Sequence, residues 1–311
     1  MSESQSQGKE YKNSHYAFFS ILSNSTLIVL KLVAGIITGS VAIISEAVHS
    51  CLDLLASFLT FLAVKYSDTP PDPDHPFGHG KVENLAALFE GILIIVGGLY
   101  IVKEAIEGLM EGHKLPSLTI GLAVMFVSSL VNFLVSRILF KAGKRTGSPA
   151  LVADGWHLRT DVMTSLGIFG ALLIIHLGNL INPAWKLDFI DSVAAMVVSF
   201  FIIKTGWALA RDAVSTLVDH SLTKEELTLI REHIAQFAPR IKGYRKLRSR
   251  RSGPFQIVVV DLLVDGSLSV DEAHSLGMQV VSGIQEHFPK ADITFHLEPV
   301  DHDGLVADPY L

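Results

Sequence analysis

Apolar positions run through the first two thirds of the chain in six long blocks, at about residues 16–37, 41–64, 85–106, 118–140, 151–177 and 189–209. Each reaches the roughly 20 residues that an α-helix needs to cross hydrocarbon. The pattern therefore predicts six transmembrane helices. Only T-G-S separates the first two blocks, so they form a tight antiparallel hairpin. After about residue 213 the pattern shortens and alternates. T-K-E-E-L-T-L-I-R-E-H-I-A-Q-F reads as an amphipathic helix with Thr223 as its cap. K-L-R-S-R-R-S-G and F-Q-I-V-V-V-D-L-L-V-D read as strands joined by a turn at Ser252, Gly253 and Pro254. A second helix, S-V-D-E-A-H-S-L-G-M-Q-V-V-S-G-I-Q-E-H-F, and a third strand, D-I-T-F-H-L-E-P, complete the order αββαβ. The expected domains are a polar tail (1–13), a six-helix membrane domain (14–212) and a small cytoplasmic α/β sandwich (213–311).

Composition agrees with this division. The chain is 49% hydrophobic and only 18% charged, which marks an integral membrane protein. A net charge of −6 points away from nucleic acid as a partner, and the apolar blocks make membrane lipid one. The N-terminal tail lacks an apolar core, so no cleaved signal peptide is expected. The single cysteine, Cys51, excludes an internal disulfide and reads as a small packing residue. Lys9, Lys12, Lys65, Lys81, Lys141, Lys144, Arg145 and Arg211 fall on one side of the bundle, against Lys114 and Lys186 on the other. The basic side is cytoplasmic, so both termini are expected there.

Ionisable residues inside two of the blocks change the picture most. S-E-A-V-H-S-C-L-D sets Glu46, His49 and Asp53 along one helical stripe. A-D-G-W-H-L-R-T-D repeats it with Asp154, His157 and Asp161. A central Asp costs about 2.5–3.5 kcal/mol in a membrane helix. A His–Asp hydrogen bond within each pair is the plain packing alternative, but it does not account for the same stripe twice. Two facing helices would offer two imidazoles and two carboxylates, the donors of a four-coordinate site for a divalent metal. Glu46 and Asp154, a turn away, are candidates for a proton relay or for helix packing.

The loop D-T-P-P-D-P-D-H-P-F-G-H-G-K gathers Asp72, Asp74, His75 and His79 where prolines and glycines forbid a helix. Asp72, His75 and His79 form a second candidate site. Lys31, Glu90, Lys103 and Asn132 read as packing and pairing groups, and Gly91, Gly97 and Gly98 as a close helix contact. Asp188 and Asp191 suit the start of the sixth helix. The basic run from Arg245 to Arg251 reads as a solvated strand face.

These motifs together resemble the cation diffusion facilitator family, and the resemblance covers nearly the whole chain. It implies a homodimeric exporter of divalent metal that exchanges its ion for protons in a bacterial inner membrane. It implies a transport site at His49, Asp53, His157 and Asp161 of the type seen in zinc-preferring members. Fe2+, Cd2+, Co2+, Ni2+ and Mn2+ are the alternative ions. It implies a loop site at Asp72, His75 and His79, and a metallochaperone-like tail that dimerises and senses metal. Arg245 and Asp261 stand where family members often carry histidines, and the cationic Arg245 cannot ligate. Asp261, His274, His296 and Glu298 remain as candidate tail ligands. The competing readings are a metal scaffold that moves no ion and an intramembrane metalloenzyme. Four protein ligands would close the site, and no H-E-x-x-H occurs, which disfavours the enzyme.

Overall fold

The computed structural model describes residues 13–38, 41–111, 120–181 and 189–300. A few side chains within those spans, Glu46, His49 and Asp191 among them, lie outside the described residues, as do Lys114, Lys186 and Asp188. The chain divides into two units at Val214 and Ser215.

The first unit holds long helices α1 (Asn13–Thr38), α2 (Val41–Ser67), α3 (Lys81–Glu111), α4 (Ile120–Thr146), α5 (Pro149–Ile181) and α6 (Phe189–Leu217, running past the boundary). Among the described residues, stretches of α1, α3, α4 and α6 are long and apolar enough to cross a membrane. The α4–α5 connection shows how sequence sets a boundary. Gly147 takes φ +71, and the Ser148 N–H bonds back to the Gly143 carbonyl at 3.0 Å. This is a glycine-terminated helix end. Ser148 then turns round to cap the next helix, its Oγ accepting from the Leu151 N–H at 3.3 Å, with Pro149 in the first helical position. The core beneath joins Val64, Leu139, Leu151 and Leu158.

Glycines let α3 and α6 approach closely. A Cβ on Gly91 would lie 2.8 Å from the Ala210 nitrogen, and one on Gly206 would lie 2.8 Å from the Gly91 carbonyl oxygen. Gly98 also meets α6, at Ile203, but a Cβ on Gly97 would touch nothing. The expected three-glycine contact is thus made by Gly91 and Gly98, without Gly97, and both Gly97 and Gly98 line a cavity.

The second unit has the expected order: α7 (Lys224–Ala235), β1 (Ile241–Ser252), β2 (Phe255–Val264), α8 (Val270–His287) and β3 (Ala291–Pro299). β2 is central, antiparallel to β1 and parallel to β3, with α8 as the crossover. Thr223 caps α7 in a reciprocal box with Glu226, and Ser269 does the same with Glu272 on α8. Val258, Val260 and Leu262 of β2 face Ile230, Ile234, Leu276 and Ile284 of the helices. β1 and β2 slip register between Arg245 and Arg248, and Lys246 there has φ +49. Lys246 and Arg248 of the basic run are exposed, as a solvated face would have them, but several of its cations are paired. Arg250 pairs with Asp219 at 2.9 Å, Arg251 with Glu226, and Lys246 with Asp261 at 2.9 Å.

Candidate metal centres

On α5, Asp154, His157 and Asp161 share one face. On α2, Asp53, Ser57 and Thr60 do the same. Where these faces meet, Asp53, His157 and Asp161 each bring one ligand atom within 4.8 Å of the others. His157 Nε2 lies 3.2 Å from Asp53 Oδ1. Asn132 Nδ2 donates to Asp161 Oδ2 at 3.4 Å. Three of the four expected membrane ligands therefore converge, and the side chain of His49 lies outside the described residues.

These three residues line a cavity of about 690 Å³. Its walls include Gly97 and Glu104 in the later part of α3, Thr164 on α5 and Ser192 early in α6. Those on α3 and α6 lie in the halves of their helices away from the α2–α3 loop. Lys31 also lines it and donates to Ser50 Oγ at 2.7 Å.

Asp154 is fully buried and stands apart from the ligand cluster. Asn24 donates to Ser57 at 2.9 Å, and Ser57 donates to Asp154 Oδ1 at 3.0 Å. Its expected partner in a relay, Glu46, lies outside the described residues. Glu90 is the residue that sequence reasoning undervalued. It is 1% exposed, and its Oε2 lies 3.4 Å from His157 Nδ1. The signal was present as an acid inside an apolar block, but nothing in the string named its partner. Lys103, by contrast, makes an exposed pair with Glu107 at 3.4 Å.

The loop brings Asp72, His75 and His79 together within the same 4.8 Å limit. Asp72 Oδ1 accepts the His75 N–H at 2.7 Å and the Asp74 N–H at 3.0 Å, so its carboxylate builds the turn. Its Oδ2 lies 3.2 Å from His79 Nε2, and Thr69 Oγ1 reaches His79 Nδ1 at 3.0 Å. The His75 backbone N–H holds the Asp72 carboxyl below the usual carboxylate range.

In the tail, Asp261 and His296 are paired in register on β2 and β3, and Glu298 follows on the same face. Their ligand atoms lie within 4.8 Å. His274 does not join them. It sits on α8 against the Phe295 ring, 5.7 Å between centroids, and Phe295 packs into the helix-side core. Adjacent strand residues point to opposite faces, so His274 and His296 are on opposite sides of the sheet. The tail set also holds a cation of its own. Lys246 Nζ lies 2.9 Å from Asp261 Oδ2 and 3.5 Å from Glu298 Oε1, while Arg245 sits 3.8 Å from Glu298 Oε2. The Asp261 carboxylate, then Glu298, raises the Lys246 pKa above that of a free lysine.

Residues 17–218 match the cation efflux transmembrane domain, and residues 222–300 match the cation efflux protein cytoplasmic domain. The chain belongs to the cation diffusion facilitator family of cation efflux transporters. It is 34% identical over 286 residues to an uncharacterized transporter of Synechocystis sp., covering 92% of this chain and 90% of that protein. It is 32% identical over 275 residues to the cation-efflux pump FieF of Pectobacterium atrosepticum, covering 88% of each. It is 27% identical over 285 residues to the manganese efflux system protein MneP of Bacillus subtilis, covering 91% of this chain and 95% of that one. The transporter is thus an integral membrane protein that moves divalent cations and is not an enzyme. The tail domain is of a type through which cation efflux proteins dimerise.

Proposed function

We propose that this transporter exports divalent metal, zinc foremost, from the cytoplasm in exchange for protons, as a homodimer in a bacterial inner membrane. One observation carries the reading: Asp53, His157 and Asp161 converge at a cavity inside a helical bundle. Nitrogen and carboxylate donors suit zinc in tetrahedral coordination. His49 shares the Asp53 face of α2 and supplies the fourth ligand. α2 and α5 span the membrane with the other four helices, and both termini are cytoplasmic. The manganese name of the Bacillus relative makes manganese the second candidate ion.

With both imidazoles neutral, two aspartates balance the charge of one dication. Once the ion leaves, the same buried carboxylates and imidazoles are stabilised by protons, so metal and protons compete for one site. In the proposed orientation the α2–α3 loop is cytoplasmic, and a cavity lined from the far halves of α3 and α6 fits the releasing state. Rocking of the helices around the site then returns it to the cytoplasm. Asp154, through Ser57, and Glu46 are relay candidates on the same helices.

The loop set of Asp72, His75 and His79 takes a second ion at the cytoplasmic face. In the tail, Asp261, His296 and Glu298 have the donor types for a regulatory metal, but that metal must displace Lys246 to reach them. Metal in the tail biases the dimer toward transport only through that exchange.

The test is wild-type protein in sealed liposomes with a zinc-sensitive dye inside and an imposed zinc gradient. Zinc accumulates, and protons move in the opposite direction. Zinc binding without accumulation would mark a scaffold and contradict the proposal.

A further inference from the structure

Glu90 and His157 pose a problem of buried polar atoms. Glu90 Oε2 and His157 Nδ1 are both buried, and neither makes a hydrogen bond among the described residues, with each other included. They lie 3.4 Å from each other. A buried polar atom left alone costs about 1–3 kcal/mol, and native interiors rarely leave two side by side. The other carboxylate oxygen of Glu90 is anchored by Thr60 Oγ1 at 3.3 Å. The imidazole is therefore held between two acids: Asp53 at Nε2, 3.2 Å away, and Glu90 at Nδ1.

The two acids are not equivalent. Asp53 lines the cavity and belongs to the ligand cluster, and Glu90 does neither. The ring nitrogens point apart, so no single ion reaches both. Glu90 can touch the ion only through the histidine. Metal-bound imidazoles typically donate their second N–H to a carboxylate, which fixes the tautomer and makes the ligating nitrogen more basic.

We infer that Glu90 is a positioning residue of the transport site: its carboxylate accepts the Nδ1–H of His157 and so presents Nε2 to the ion beside Asp53. This rests on Asp53, His157 and Asp161 being the ion site. It gives α3, which supplies no ligand to that cluster, a part in setting metal affinity.

The test is a double-mutant cycle. Equilibrium zinc binding is measured on the full-length chain carrying His75→Ala and His296→Ala, so that the membrane site is read alone. Glu90→Ala weakens zinc binding about 10–100-fold, the range for removing such a supporting carboxylate. Glu90→Gln, whose amide oxygen still accepts the Nδ1–H, recovers most of that loss. In a His157→Ala background, Glu90→Ala adds less than about twofold. Where Glu90→Ala does not fold, Thr60→Val releases the carboxylate instead, and its smaller loss also vanishes in the His157→Ala background. An equal loss with and without His157, or no loss at all, would overturn the inference. A His157→Ala chain that binds zinc as tightly as its parent would instead overturn the ion site itself.

Discussion

At the scale of single residues, the candidate ion ligands and the groups around them are legible to different degrees. Asp53, His157 and Asp161 could be picked out because a costly group repeated at helical spacing in two apolar blocks. Asp72, His75 and His79 stood out through the prolines and glycines around them. Glu90 did not, because one acid in an apolar helix carries no mark of which helix will face it. His274 was misplaced for a related reason: a histidine on the second tail helix sits near the ligands in sequence order but across the sheet from them. Lys246 was invisible as a site residue because its reach depends on the irregularity between Arg245 and Arg248. That lysine yields a prediction. It competes with metal as an exposed ion pair worth about 0.2–1 kcal/mol, so its removal changes affinity by up to about fivefold. Zinc titration of the full-length chain carrying His75→Ala and His157→Ala reads the tail alone. Lys246→Ala tightens binding there, and unchanged or weaker binding would show that Lys246 does not guard the site.

At the scale of elements, periodicity carried most of the fold. Apolar blocks became long helices, and the tail order αββαβ followed from alternation, turn residues and caps. β2 reads as almost continuously apolar because it is the central strand, flanked by β1 and β3. What periodicity cannot give is which small residues meet. Gly91 and Gly98 pack on α6 while a Cβ on Gly97 would touch nothing, a difference of one residue in phase on α3. The contact has a consequence for stability. Gly206→Val places side-chain atoms where Gly91 and Ile95 already sit, and overpacking of this kind costs about 1–3 kcal/mol. Thermal unfolding of the purified variant in detergent shows a lower midpoint than wild type. An unchanged midpoint would mean that α3 and α6 do not need their close approach.

At the scale of the whole molecule, the chain combines a helical membrane unit holding a half-buried His–Asp cluster at a cavity with a small α/β unit whose cluster joins a buried Asp261 to an exposed His296. The two differ in what neutralises their carboxylates. A cation or protons stabilise carboxylates drawn into the bundle, which suits a site that must load and empty. In the tail, Lys246 pairs with Asp261 and Arg245 with Glu298, so a metal there competes with resident cations. The repeated stripe pointed to the membrane cluster and the family resemblance to the tail one, but neither gave the cavity, because a cavity is a property of how helices fail to close. The central claim is that the membrane cluster is the path of the ion. Zinc uptake into sealed vesicles by Asp53→Ala and Asp161→Ala chains, against wild type at matched protein levels, tests it most directly. Both variants fall to the background of empty vesicles; uptake at the wild-type rate by both would contradict the account.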